Sequence, residues 1–274
     1  NAMAGLPAGA GKAVILADTN RSKPRELLDA FARAVDSLGG RYITAQDVGM
    51  SEDDMVTLSQ TTQHVAGLPG QGGDPGPYTA RGVYLGVKAA AKRALGSEDV
   101  KGMHIAIQGV GSVGGGLARY LASEGAKLTL ADVNESRAAA LAAELGAETA
   151  PTEAIMAVEA DIFSPCALGA ILTEASVASL RVKAVAGGAN NQLATAAQGR
   201  QLADRGIVYA PDYVINAGGI INVLRHIDQA DDAAINARID TIPGRLHQVW
   251  DESEASGDTP AEVADRIAQR LIGR

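Results

Sequence analysis

The sequence predicts an α/β protein: a doubly wound parallel sheet with helices on both faces. Three observations lead there. Short apolar runs alternate with amphipathic helical patterns along most of the chain. A glycine-rich turn, "GVGSVG" (109–114), leaves one such run and opens a helix. A stretch at 67–78, "GLPGQGGDPGPY", has Gly or Pro at eight of its twelve positions and splits the alternation into two series, which makes it a domain-boundary candidate.

In the first series "AVILAD" (13–18) reads as a strand. Pro24 opens a helix carrying Leu27, Leu28, Phe31, Val35 and Leu38, and Gly39-Gly40 stops it. "RYITA" (41–45) is a strand, and Ser51 caps the next helix with Asp54 in the box position. After the breaker-rich loop, Thr79 is expected to cap a helix that ends at Gly96. The second series has strands at 104–109, 127–132, 160–165, 183–188 and 206–211, and from Val223 onward the pattern is helical only.

The chain has 274 residues, 46% of them apolar, enough for a sizeable core. A formal net charge of −8 argues against a nucleic-acid surface. No apolar run approaches the roughly 18 residues of a membrane span, and no secretory leader opens the sequence. Cys166 stands alone, so an internal disulfide is excluded, and His64, His104, His226 and His247 have no ligand spacing, so no metal is expected. The expected setting is cytoplasmic.

Gly109, Gly111 and Gly114 stand in G-x-G-x-x-G register, with Ser112 and Val113 inside the turn. Gly109 allows the tight turn, Gly111 lets a pyrophosphate approach the backbone, and Gly114 lets the helix pack on the sheet. The helix N-terminus would take the pyrophosphate. Asp132 ends the next strand, where an acid accepts ribose hydroxyls and repels a 2′-phosphate; the cofactor expected is NAD. "SPCALG" (164–169) and "GGANNQL" (187–193) lie at further strand ends, so Cys166, Ala167, Ala189, Asn190 and Asn191 either border the dinucleotide or are ordinary loop and capping residues.

"GLPAGAGKAVIL" (5–16) looks at first like a phosphate-binding loop. Five residues separate Gly5 from Gly11 rather than four, Ala13 replaces the metal-binding hydroxyl, and β-type residues follow instead of a helix. A lysine beside turning glycines and entering a buried strand is instead expected to be partly desolvated, which lowers its pKa toward that of a general base. Asp47 is the candidate partner. A plain salt bridge, or two unrelated surface charges, fits the same residues.

Together, "AGLPAGAGKAVI", "YITAQDVG", "PYTARGVYLGVKAAAKRALG", "IQGVGSVG", "DIFSPCALGAI", "GGANNQL" and "YAPDYVINAGGIINV" resemble the glutamate/leucine/phenylalanine/valine amino-acid dehydrogenases, closest to the leucine branch. The resemblance runs in order along nearly the whole chain. It implies NAD-dependent oxidative deamination of a branched-chain amino acid to a 2-oxo acid and ammonia. It implies that Lys12 and Asp47 are catalytic: lysine takes the proton of the attacking water and steadies the oxyanion, and aspartate shuttles protons to and from the amine. Asn216 is implied to touch substrate amine and nicotinamide, and Thr79 the nicotinamide end; Ala45, beside Asp47, suits an apolar substrate pocket. The domains implied are a partial substrate domain (1–78), a Rossmann NAD domain (79–222) and C-terminal helices (223–274) packing back across the cleft, in a homo-oligomer.

Two departures from the family pattern carry expectations. Three consecutive glycines normally precede the lysine, and here Gly9-Ala10-Gly11 does. Family chains have several dozen residues upstream with a further lysine for the substrate carboxylate, and a chain without it is expected to bind NAD and deaminate poorly. The competing readings are an impaired NAD-binding protein and a phenylalanine- or glutamate-type dehydrogenase.

Overall fold

The fold is that of a computed structural model, which describes residues 1–16, 23–47, 49–69, 74–222, 225 and 228–274. The first helix, α1 (Arg25–Asp36), has Pro24 as the residue just before it, and Leu28, Ala32 and Val35 on its buried stripe. Gly39 and Gly40 end it with φ of 58° and 81°, which a side chain would resist. Strand β1 (Thr44–Ala45) follows, then α2 (Glu52–Ser59) and β2 (Val65–Ala66). β1 and β2 pair in parallel. Ser51 and Asp54 form the expected reciprocal box at the start of α2. Leu28, Ala32, Met55, Leu58 and Val65 make a small core of their own.

Two expectations fail here. Residues 13–16 form no strand, and Val14 and Leu16 are 75% and 96% exposed. An apolar run becomes a strand only where a neighbour completes its ladder and a layer covers it, and no described strand pairs with this one; positions 17 and 18 lie outside the described residues. The next helix, α3 (Gly76–Leu95), begins three residues before Thr79. Asp74 accepts from the Gly76 N–H at 2.8 Å and Pro77 fits the first turn, so the cap is supplied earlier. Thr79 instead donates its hydroxyl to the Pro75 carbonyl at 3.0 Å. Of the breaker-rich loop, 70–73 lie outside the described residues. Gly96 ends α3 with φ of 82°.

The second series runs β3 (His104–Gln108), α4 (Ser112–Ser123), β4 (Lys127–Ala131), α5 (Glu135–Leu145), β5 (Glu148–Thr149), β6 (Ile162–Pro165), α6 (Glu174–Ser179), β7 (Ala184–Val185), α7 (Ala196–Asp204) and β8 (Val208–Tyr209). The six strands form one parallel sheet in the order β5-β4-β3-β6-β7-β8. β5 is a short edge strand that the apolar pattern does not show, because its residues are exposed. The pleat sends Ile105 and Ile107 into one core and Ala106 into the other, and it separates Ile162 from Phe163 likewise. The order reverses between β3 and β6, the topological switch point where doubly wound sheets take ligands.

The rest of the chain is α8 (Asp212–Ile215), α9 (Gly218–Asn222), α10 (Asp232–Ile239), α11 (Ile242–Ser256) and α12 (Pro260–Leu271). Residues 223, 224, 226 and 227 lie outside the described residues. α11 lies on α3 and α8, and the Trp250 indole N–H donates to the Tyr209 carbonyl at the sheet edge, 2.8 Å away. Arg238 of α10 donates to the Gly5 carbonyl at 2.7 Å, tying the C-terminal helices to the first residues. Among the described residues no helix is long and apolar enough to cross a membrane.

Candidate active site

The glycine turn meets its geometric expectations at two positions. Gly109 has φ of 88°, and a Cβ there would come within 2.8 Å of Ala167. A Cβ on Gly114 would lie 1.9 Å from the Gly109 carbonyl oxygen and 3.0 Å from the Cys166 Cβ. Gly111 differs: a Cβ there meets nothing within 4 Å, so the protein itself leaves that space open. The first N–H groups of α4, from Ser112, Val113 and Gly114, have no partners within the helix, beside the space that Gly111 leaves open. Open room beside unpartnered donors fits a diphosphate.

Asp132 lies at the end of β4 with its carboxylate almost wholly buried. It accepts from the Val110 N–H at 2.8 Å, the Asn134 N–H at 2.8 Å and the Arg137 guanidinium at 2.7 Å. Burial alone would raise its carboxyl; the bonds from Val110, Arg137 and Asn134 outweigh that and hold it below the usual carboxylate range. The acid is therefore charged but already paired, and the half-exposed Arg137 is the cation at this edge.

Across the switch point Cys166 has its sulfur 3.5 Å from the Gly188 N–H and the Ser164 hydroxyl, and burial pushes the thiol up, which keeps it neutral. Ala167 is exposed beside it. The neighbouring loop is held firmly. Ala189 N–H donates to Pro165 O at 2.9 Å, and the buried Gln192 amide donates to the Gly187 and Ala189 carbonyls at 2.8 and 2.9 Å. Asn191 has φ of 51° and Ala170 φ of 56°, and Ala170 N–H donates to Asn191 O at 2.6 Å. Two non-glycine residues in that region mark backbone held by its surroundings. Asp212 accepts from the Asn191 N–H. Asn216 donates its amide to the Asn190 side-chain oxygen at 2.6 Å and to Gly188 O at 3.2 Å. Asn190 and Asn216 thus form one polar pair, while Asn191 is fixed through its backbone.

Lys12 and Asp47 form a salt bridge, with side chains 71% and 51% exposed. The expectation of a desolvated lysine in a buried strand is overturned, because the segment around it is uncovered. Neither Gly9 nor Gly11 adopts positive φ; Gly11 is needed because a Cβ would meet the Tyr42 ring at 3.0 Å. Ala10 therefore strains nothing through its backbone. The pair lines a cleft of about 360 Å³ together with Ala45, Asn190, Val14, Ile15, Phe31, Tyr42 and Met50. Asn190 brings the large sheet to the small one. Thr79 lies elsewhere, against Gly219, whose Cβ would come within 2.5 Å of its hydroxyl. Among the described residues no group of His, Cys, Asp and Glu is arranged to hold a metal ion.

The geometry can be set beside known proteins. The model of the "Glu/Leu/Phe/Val dehydrogenase, dimerisation domain" matches residues 1–64, and that of "Glutamate/Leucine/Phenylalanine/Valine dehydrogenase" matches 129–259. A leucine dehydrogenase of Thermoactinomyces intermedius is 42% identical over 275 residues, covering 99% of this chain and 75% of that protein. The chain belongs to the glutamate/leucine/phenylalanine/valine dehydrogenase family. Among this family's solved structures, the crystal structure of L-tryptophan dehydrogenase from Nostoc punctiforme matches with a TM-score of 0.84 and 39% identity, covering 99% of this chain and 79% of that one. A hetero-hexameric glutamate dehydrogenase from Thermus thermophilus matches with a TM-score of 0.74 at 20% identity, which shows the shared fold.

Three residues near this dehydrogenase's cleft and turn escape the sequence reading. Lys23 lines the cleft, held 2.8 Å from Asp54 with both side chains about 15% exposed. Arg137 sits on Asp132, and Asp74 receives the Ser112 hydroxyl at 2.7 Å. An i, i+5 acid–base spacing flags Arg137 only once Asp132 is placed; the other two contacts join distant stretches.

Proposed function

We propose that this chain carries out NAD-dependent oxidative deamination of an aliphatic, branched-chain L-amino acid, giving the 2-oxo acid and ammonia. The observation that carries the reading is the single cleft in which Lys12, Asp47 and Ala45 face Asn190, the loop residue joined to Asn216. Bound NAD would supply the hydride acceptor for Cα. Gly109, Gly111, Ser112, Val113 and Gly114 would hold the diphosphate at the start of α4, Asp132 would serve the ribose, and Cys166, Ala167 and Ala189 would border the dinucleotide. Asn190 and Asn216 orient the nicotinamide side, with Asn216 toward the substrate amine and Thr79 at the nicotinamide end.

Lys12 takes a proton from the attacking water and stabilises the oxyanion, and Asp47 moves protons at the substrate nitrogen. Closure of the cleft between the substrate and NAD domains would exclude water from the hydride step. The division proposed is a substrate domain over 1–78, the NAD domain over 79–222 and C-terminal helices over 223–274. The match of residues 1–64 to a dimerisation-domain model supports a homo-oligomer.

The test is NADH formation with leucine, valine, phenylalanine, tryptophan and glutamate in turn. Leucine and valine should give the highest kcat/KM, and Lys12→Ala should lower kcat by about a hundredfold or more with NADH affinity unchanged. Turnover only with aromatic substrates would move the assignment toward the tryptophan or phenylalanine enzymes. NADH binding without turnover of any substrate would leave a binding protein.

A further inference from the structure

The place where the diphosphate is read to bind already holds a negative charge of the chain's own. α3 and α4 bring their N-termini together: a Cβ on Gly76, the first residue of α3, would lie 1.8 Å from the hydroxyl of Ser112, the first residue of α4. The Asp74 carboxylate bridges the two. One oxygen accepts from the Gly76 N–H at 2.8 Å and the other from the Ser112 hydroxyl at 2.7 Å. Each helix end carries about half a positive charge, and two such ends attract an anion together. Asp74 is exposed, and among the described residues no cation pairs with it. Among the described residues, what offsets its negative charge is the pair of helix ends.

Ser112 is the residue after Gly111, beside the open space that suits a diphosphate. A dinucleotide bringing two phosphate charges there meets the Asp74 carboxylate at short range and competes with it for the same donors. We propose that Asp74 is an affinity-setting residue of the cofactor site: a resident anion that the diphosphate must bind against, and that weakens NAD(H) binding. The inference rests on reading 109–114 as the diphosphate site.

Asp74→Asn separates charge from structure. Asparagine still accepts the Gly76 N–H as a cap, so α3 keeps its start. Direct titrations, by NADH fluorescence and by calorimetry with ADP and adenosine, give the readout apart from turnover. The variant should bind NADH and ADP about fivefold more tightly than the parent at low salt, bind adenosine equally, and lose its advantage as salt is raised. Ser112→Ala keeps the carboxylate and should show no such tightening. Equal NADH affinity in parent and Asp74→Asn overturns the inference, as does equal tightening toward adenosine, which would reveal a general change in the pocket. If NADH binds to neither protein, the cofactor reading itself falls, and this inference with it.

Discussion

At the scale of single residues, the pairing of Asp132 decides how the acid acts. A free carboxylate at the end of β4 would repel a 2′-phosphate strongly. Here the Arg137 guanidinium, 2.7 Å away and half-exposed, offsets that charge while two backbone N–H groups hold the carboxylate ionised. On the proposed reading of Asp132 as the ribose acid, its repulsion of a 2′-phosphate is thereby reduced. Arg137→Ala should therefore raise the ratio of NADPH to NADH dissociation constants by about fivefold, measured by direct titration; an unchanged ratio would remove Arg137 from cofactor choice. Lys12 teaches the complementary point. Its proximity to Asp47 is as the sequence suggested, but its exposure is not, because burial depends on what covers residues 12–16, and only Ala13 and Ile15 there are partly buried.

At the scale of elements, the glycine turn separates two requirements that one motif combines. Gly114 answers to the protein: its missing Cβ is what lets α4 rest on the Gly109 carbonyl and the Cys166 side chain. Packing does not require Gly111, since its own surroundings are empty, and the proposed diphosphate site gives it its role. Gly114→Ala should lose about 3 kcal/mol of stability by forced overpacking, read from urea unfolding. Gly111→Ala should unfold at nearly the parent's midpoint while losing NADH affinity. If both variants unfold alike, the division of labour is wrong. The elements also show what pattern alone reveals. Ser51–Asp54, the Gly39-Gly40 stop and the Gly96 end were readable because each depends on residues within one turn. The start of α3 was not, because Asp74 and Pro77 outcompete Thr79 as start signals, and only the folded backbone ranks them.

At the scale of the molecule, the buried Asp132 and the part-buried Asp54 contribute to the acid limit of stability. For Asp54 and Asp132, burial would raise the carboxyl, but Lys23 with Ser51, and Val110 with Arg137 and Asn134, outweigh it and hold both below their ordinary values. A folded value below the unfolded one means stability that is complete above the unfolded range, near pH 4, and lost as the pH falls through the lower folded values. Urea midpoints should hold steady down to about pH 5 and fall below about pH 4, and Asp54→Asn should flatten part of that fall. A midpoint that does not move between pH 5 and 3 would show that these pairs contribute nothing.

The sequence by itself determined the parallel α/β order, the glycine turn that opens α4, the family and the residues at strand ends. These follow from periods of two and 3.6, from local turn chemistry, and from motifs whose order along the chain is itself specific. Tertiary structure alone decided that 13–16 stays out of the sheet, that Asn190 reaches the Lys12–Asp47 cleft, and that Asp132 and Ser112 are already engaged by Arg137 and Asp74. Burial, pairing and charge compensation depend on which elements fold against one another, and no local pattern carries that information.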